Sequence, residues 1–218
     1  MDIEVRWDWI RSHTDDIQRN TIEHLQLVGV SLAIAIALAI PLAVLVYRSR
    51  VAFGTTTAIT GALYTVPSLA MFAFLLSIFD IGFGPAVAAL VLYSLLILIR
   101  NAVVGLRSVP TPVRDAARGM GLTRLQTLLR VELPLAVPSI MAGIRITAVS
   151  TVGIATIAVF IGAGGLGELI YNDGVQRGLF LTPILAGAVI ATAMAIIIDL
   201  LLVLAERLMT PWLRAARR

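Results

Sequence analysis

Two groups of residues in this chain have types and spacings that could do chemistry, and a third has the types without the spacing. Gly162-Ala-Gly-Gly-Leu-Gly167 matches G-x-G-x-x-G, which in dinucleotide-binding proteins lets backbone approach a pyrophosphate. That use needs a strand before the loop, a helix after it and an acidic residue about 20 positions on. Here a long apolar run precedes the loop, and the region twenty positions on is apolar. The nucleotide reading therefore fails. What remains is a loop that bends sharply or is closely approached, since glycine permits both. Gly162, Gly164, Gly165 and Gly167 are its candidate gate positions; a plain connector is the alternative.

Arg145 and Asp199 form the second group, two charges inside long apolar runs. A charge in lipid is costly, so each must face protein or water and find a partner. Arg145 lies eleven residues after Pro134, and Asp199 eight residues before Arg207. At about 1.5 Å per residue the two reach a similar depth. They are expected to pair or to line a pathway, with Tyr64 and Ser68 as further polar candidates.

The third group argues against catalysis. His13 and His24 are the only histidines, both on the polar N-terminal stretch and without metal-site spacing, so both read as surface residues. No serine sits in a nucleophile elbow. With no cysteine there is no disulfide, thiolate nucleophile or Cys-based metal site. The expectation is a non-catalytic chain with no metal and no cofactor.

The elements that hold these residues are set by the solvent. The chain has 218 residues, 59% of them hydrophobic and 14% charged, with a mean hydropathy of +0.95. That much apolar surface is suited to a lipid environment. The isoelectric point near 10.3 invites a nucleic-acid reading. However, the arginines are confined to short loops between apolar runs, a pattern that membrane topology explains better. The N-terminal sequence has no basic region leading into an apolar core, so it does not read as a cleavable signal.

Residues 1–24 mix acids and arginines with Trp7, Trp9 and Ile10, as expected of a segment at the membrane interface. Five apolar runs follow: Leu25–Tyr47 (with Pro41 predicting a kink), Val51–Phe79, Ala86 to about Arg107, Leu135–Ile161 and Leu179–Ala205. The second contains Gly61 and Pro67 and is expected to span with only part of its length. Five spans put the termini on opposite sides. With the N-terminus outside, the inner loops and the tail at 209–218 collect the arginines, which is the positive-inside pattern. The expected architecture is an all-α membrane protein, N-out and C-in, with a permease domain over 25–208.

This topology places Thr111–Pro134 in the cytoplasm. Thr111 and Pro112 read as a helix start. Val113, Ala116, Ala117 and Met120 fall at i, i+3, i+4 and i+7, giving a small apolar face. Gly121 suits the helix exit. Thr123 and Gln126 form a capping box for a second helix, expected to end before Pro134. Two short helices between membrane spans read as a docking element.

The stretch Asp115-Ala-Ala, three residues, Gly121, nine residues, Val131-Glu-Leu-Pro134 closely resembles the E-A-A-x3-G-x9-I-x-L-P signature of binding-protein-dependent ABC importer permeases. It departs in Asp for Glu at 115 and Val for Ile at 131, swaps that keep charge or β-branching. The resemblance implies a coupling helix seated in a groove of a cytoplasmic ATPase. It implicates Asp115, Ala116, Ala117, Met120, Gly121, Leu122 and Pro134.

A narrower match runs through roughly 21–173. Tyr64-Thr-Val-Pro-Ser-Leu-Ala70, Leu92 to Asn101, Val131 to Ala136, Ile140 to Arg145 and Phe160 to Gly167 resemble the osmoprotectant permeases, which import glycine betaine, carnitine, choline or proline betaine. Methionine-importer permeases share a similar GAGGLG loop, so that loop does not discriminate. The resemblance implies a bacterial inner-membrane subunit with ATPase partners, a second permease chain (identical or homologous) and an extracytoplasmic substrate-binding protein. A permease for another solute such as methionine is the alternative. An ATP-independent channel or secondary transporter is the more distant one, since such proteins usually need more spans or repeats with broken helices.

Overall fold

The structure is a computed structural model that describes residues 5–212. The expected tail 209–218 and the acidic residues Asp2 and Glu4 lie largely or wholly outside this range. Among the described residues all regular structure is helical. The order is α1 (Trp7–Ser12), α2 (Thr14–Val46), α3 (Arg50–Thr65), α4 (Ser68–Leu76), α5 (Phe83–Ser108), α6 (Thr111–Gly119), α7 (Arg124–Thr127), α8 (Leu133–Ala155), α9 (Leu166–Ile170) and α10 (Leu181–Met209).

Among the described residues four stretches are long and apolar enough to cross a membrane: Thr14–Val46, Phe83–Ser108, Arg124–Ile161 and Leu181–Met209. Helices α3 and α4 reach that length and apolarity only together and meet at a 94° bend, the geometry of a broken span or a re-entrant loop, so the spans number four to five. Proline explains the bend. Pro67 has no N–H to continue the ladder and forces Val66 into extended backbone at φ −63°, ψ 129°. The long second run is thus two helices and not one straight span.

The first span begins at Thr14, well before the expected Leu25. Asp15 and Asp16 occupy its first turn, where carboxylates favour a helix N-terminus, and Arg19 pairs with Asp16 at 2.8 Å. From Thr14 on the charged stretch is therefore helix continuous with the span, while α1 stands apart across the break at His13. The helix also runs through Pro41 to Val46 without ending there.

Helix α5 is the axis of the bundle. Its apolar window is 61% buried, whereas that of α10 is only 6% buried. Leu90, Leu98, Ile99, Val103 and Leu106 on α5 pack into one core with Leu27 and Val28 of α2 and Val152 of α8. Burying such side chains contributes about 1.5–3 kcal/mol each in water, but in lipid the gain comes from close packing instead.

Candidate functional site

Helix α6 opens the arginine-rich end. Its N-cap position is Pro110, not Thr111, and no side chain caps it; Pro112 fills the first turn, where its missing N–H costs nothing. Gly121, at φ +80°, closes the helix. Its N–H donates to Arg118 O at 2.9 Å and that of Leu122 donates to Ala117 O at 3.2 Å, a Schellman termination. The capping box forms as expected: Thr123 N–H donates to Gln126 Oε1 at 2.9 Å and Gln126 N–H to Thr123 Oγ1 at 3.3 Å.

The next helix does not end before Pro134. A π turn over Leu128–Glu132 joins α7 to α8, with Leu133 N–H reaching Leu128 O. The wider turn lets Pro134 sit in the first turn of α8 without clashing with a carbonyl four residues back. Helix α7 is thus fused to the following span.

The expected apolar face is split. Ala117 is 1% exposed and packs inward, while Val113 (38%) and Met120 (74%) point outward, joined by Leu125 (64%) and Leu129 (55%). Ala116, Asp115 and Gly121 are exposed and Leu122 half-buried. The outward face consists of Val113, Ala116 and Met120, rimmed by Asp115 and Arg118 at 3.5 Å.

Behind α6 lies a hub that sequence reasoning did not find. Glu132 is 2% exposed. The Tyr47 hydroxyl donates to its Oε2 at 2.6 Å, and Arg114 Nε lies 2.9 Å from Oε1, as an ion pair rather than an aligned hydrogen bond. Arg48 Nη2 is 3.6 Å from Oε2, and Arg48 Nε donates to the Tyr47 oxygen at 2.6 Å. Burial first, then the Glu132 hydrogen bond, pushes the Tyr47 phenol above its usual range, so it stays a donor. Arg114 Nη2 also donates to Leu106 O at 2.6 Å. One carboxylate therefore ties the end of α2, the end of α5 and α6 to the start of α8. Its signal in the sequence was a second acid, after Asp115, inside an arginine-rich stretch.

Within the bundle, Arg145 Nε donates to Asp199 Oδ1 at 2.7 Å and Nη2 to Oδ2 at 3.0 Å, a bidentate pair between α8 and α10. Glu206 adds a second acid at 3.8 Å from Arg145 Nη1. Tyr64 is not at this pair. It meets Tyr93 edge-on with centroids 6.0 Å apart. The Tyr93 hydroxyl donates to Val66 O at 2.6 Å, holding the α3–α4 break. Ser150 joins the two places, lining both the recess beside Arg145 and Asp199 and a small, mainly apolar cavity bordered by Tyr64, Tyr93 and Thr147. A seam of recesses thus runs along α8. Ser68 sits half-buried just beyond the break, at the start of α4.

At the glycine-rich end, Gly162 (exposed), Gly164 (half-buried), Gly165 and Gly167 (both buried) form a turn folded against α2. Glu23 accepts from Gly165 N–H at 3.0 Å. His24 is not a surface residue: it is fully buried, with Nδ1 accepting from Leu166 N–H at 3.3 Å and Nε2 donating to Val152 O at 3.1 Å. His13 is half-buried, stacked on Trp9 at 4.4 Å. Gly165 adopts φ +83°, which favours glycine, and a Cβ there would meet His24 Nδ1 at a tight 3.1 Å. No group of three or more His, Cys, Asp or Glu side chains suited to a metal ion occurs among the described residues.

Residues 31–214 match the family described as "Binding-protein-dependent transport system inner membrane component". The chain is 37% identical over 204 residues to the choline transport system permease protein OpuBB of Bacillus subtilis, covering 93% of each. It is 40% identical to the osmoprotectant import permease protein OsmW of Salmonella typhimurium, over 88% of this chain and 90% of that one. Among solved structures, an inward-facing form of the MetNI methionine ABC transporter superposes with a TM-score of 0.83. It is 24% identical and covers 91% of this chain and 98% of that one, a likeness of fold.

Proposed function

Since the chain belongs to the binding-protein-dependent transport system inner membrane component family, we propose that it is the transmembrane subunit of an ATP-driven importer for quaternary-ammonium osmoprotectants of the glycine betaine, choline and carnitine type. The observation that carries the transport reading is the outward face of α6, where Val113, Ala116 and Met120 are exposed on a helix braced from behind by Glu132. The substrate class rests on relatives named for choline and osmoprotectant transport.

In this reading the chain is N-out and C-in, and α6 docks on a cytoplasmic ATPase. A second permease chain, identical or homologous, completes the pathway, and an extracytoplasmic binding protein delivers the solute to the glycine-rich end. The chain hydrolyses nothing itself. ATP binding draws two coupling helices together and favours an outward-open state; hydrolysis releases it, a coupling between two global states. The seam from Arg145 and Asp199 through Ser150 to Tyr64 is the proposed pathway wall. Gly162–Gly167 is the proposed outer gate.

The test is reconstitution. Proteoliposomes holding this chain with its ATPase and binding protein should accumulate labelled glycine betaine, choline or carnitine only with ATP. Uptake of methionine but none of these would overturn the substrate class. Flux through the chain alone would overturn the importer reading.

A further inference from the structure

The arginine-rich end holds more positive charge than the chain itself neutralises. A recess of about 310 Å³ is lined by Tyr47, Arg48, Arg107, Arg114, Arg118 and Glu132. Four guanidiniums from the α2–α3 turn, α5 and α6 thus face one buried carboxylate. Glu132 is already committed to Tyr47, Arg48 and Arg114, and Arg118 has only the exposed Asp115, at 3.5 Å. Arg107 has no carboxylate within ion-pair distance among the described residues. It donates to Tyr47 O at 2.7 Å and Ser49 O at 3.3 Å and lies 4.6 Å from the Phe53 ring centroid. Those two bonds and the ring fix its plane and leave Nη1 with spare donors. Arg114 and Arg118 stand at i, i+4 on one helix, where like charges repel unless something lies between them. Inner-side arginines alone satisfy membrane topology; they need not converge from three segments on one cavity.

We propose that this recess binds a phosphate-bearing anion, which in the membrane is the headgroup of an acidic phospholipid. Guanidinium forks match phosphate oxygens in pairs, and Tyr47 immediately follows the apolar span of α2, at headgroup depth. A bound phosphate would bridge Arg48, Arg107 and Arg118 and so join the α2–α3 turn and the end of α5 to α6. The inner-leaflet placement rests on the orientation proposed above, but the binding itself does not.

The test is lipid retention by the whole chain in detergent after delipidation, read by native mass spectrometry with dioleoylphosphatidylglycerol against dioleoylphosphatidylcholine. Retention of the acidic lipid should exceed the other by about tenfold. Arg107→Gln with Arg118→Gln should cut it at least fivefold, and Arg118→Gln alone, on an exposed side chain that leaves the fold intact, at least twofold. Arg124→Gln with Arg130→Gln removes the same charge outside the recess and should change nothing. A variant-sensitive thermal shift with inorganic phosphate, without lipid selectivity, would assign the site to free phosphate and uphold it. Both probes indifferent to Arg118→Gln, or equal loss in the Arg124/Arg130 pair, would overturn the proposal. So would phosphate-probe binding abolished by the assembled ATPase, which would give the recess to that subunit.

Discussion

His24 on the first span holds the backbone N–H of Leu166 through Nδ1 at 3.3 Å, across 142 residues of sequence. Because that backbone group is a donor, Nδ1 must be bare and Nε2 must carry the proton it gives to Val152 O. The glycine-rich turn is therefore fastened to α2 and α8 by one neutral ring. His24→Leu should leave a buried N–H and carbonyl unpaired, at about 1–3 kcal/mol each. A thermal midpoint unchanged in His24→Leu would show that the ring is not holding the turn. Gly165→Ala should lower it too, by strain at φ +83° and contact with the same ring.

The Arg145–Asp199 pair should behave as a unit. Arg145→Ala strands Asp199 within the membrane span, and Asp199→Ala leaves Arg145 only the longer pair with Glu206 at 3.8 Å, so uptake should fall by roughly tenfold or more in either. The double variant should be no worse than the more damaging single one. Strictly additive losses in stability and uptake would dissolve the pairing as a functional unit.

Removing the hub at Glu132 should cost more than any surface substitution near it. Glu132→Ala leaves Arg114 and Arg48 facing each other and Tyr47 without its acceptor. The expected loss is about 3 kcal/mol, the low end for a broken buried pair because Arg48 reaches solvent. Thermal unfolding reads the stability, and the ratio of transport to hydrolysis in the assembled importer reads whether α6 has lost its brace.

Ala116 and Ala117 should separate docking from folding. Ala116→Trp adds bulk to the outward face and should weaken ATPase co-purification while changing the unfolding free energy of the chain by no more than about 0.5 kcal/mol. Ala117→Trp forces a ring into a site that is 1% exposed and should lower that stability instead, by about 1–3 kcal/mol. Equal effects of the two on assembly and stability would contradict the split face.

Much of the architecture was legible because lipid simplifies the pattern: apolar runs bounded by arginines mark the spans, and Pro67 marks the break in the second. The capping box at Thr123 and the glycine exit at Gly121 were legible because both are local chemistry. What escaped was long-range. Periodicity put Ala117 on the same stripe as Met120, but which edge of a stripe faces inward depends on the neighbouring helices, not on the stripe. His24 read as a surface residue because its neighbours in sequence are polar, whereas its partners, Val152 and Leu166, lie more than a hundred residues away. Glu132 was hidden among arginines for the same reason, and Pro134 suggested a helix end because a π turn leaves no mark in composition.

That π turn has a mechanical consequence. From Arg124 to Ile161 the helix is one stretch of 38 residues, about 57 Å long at 1.5 Å per residue. The Arg114–Glu132 ion pair, at 2.9 Å, ties α6 to this rod, and α7 is continuous with it. Pivoted near one end, the rod would carry a tilt of 5° to its tip as a swing of roughly 5 Å. A small push on the arginine-rich end is thereby geared up at the opposite face of the bilayer, where Ile161 hands directly to the glycine turn.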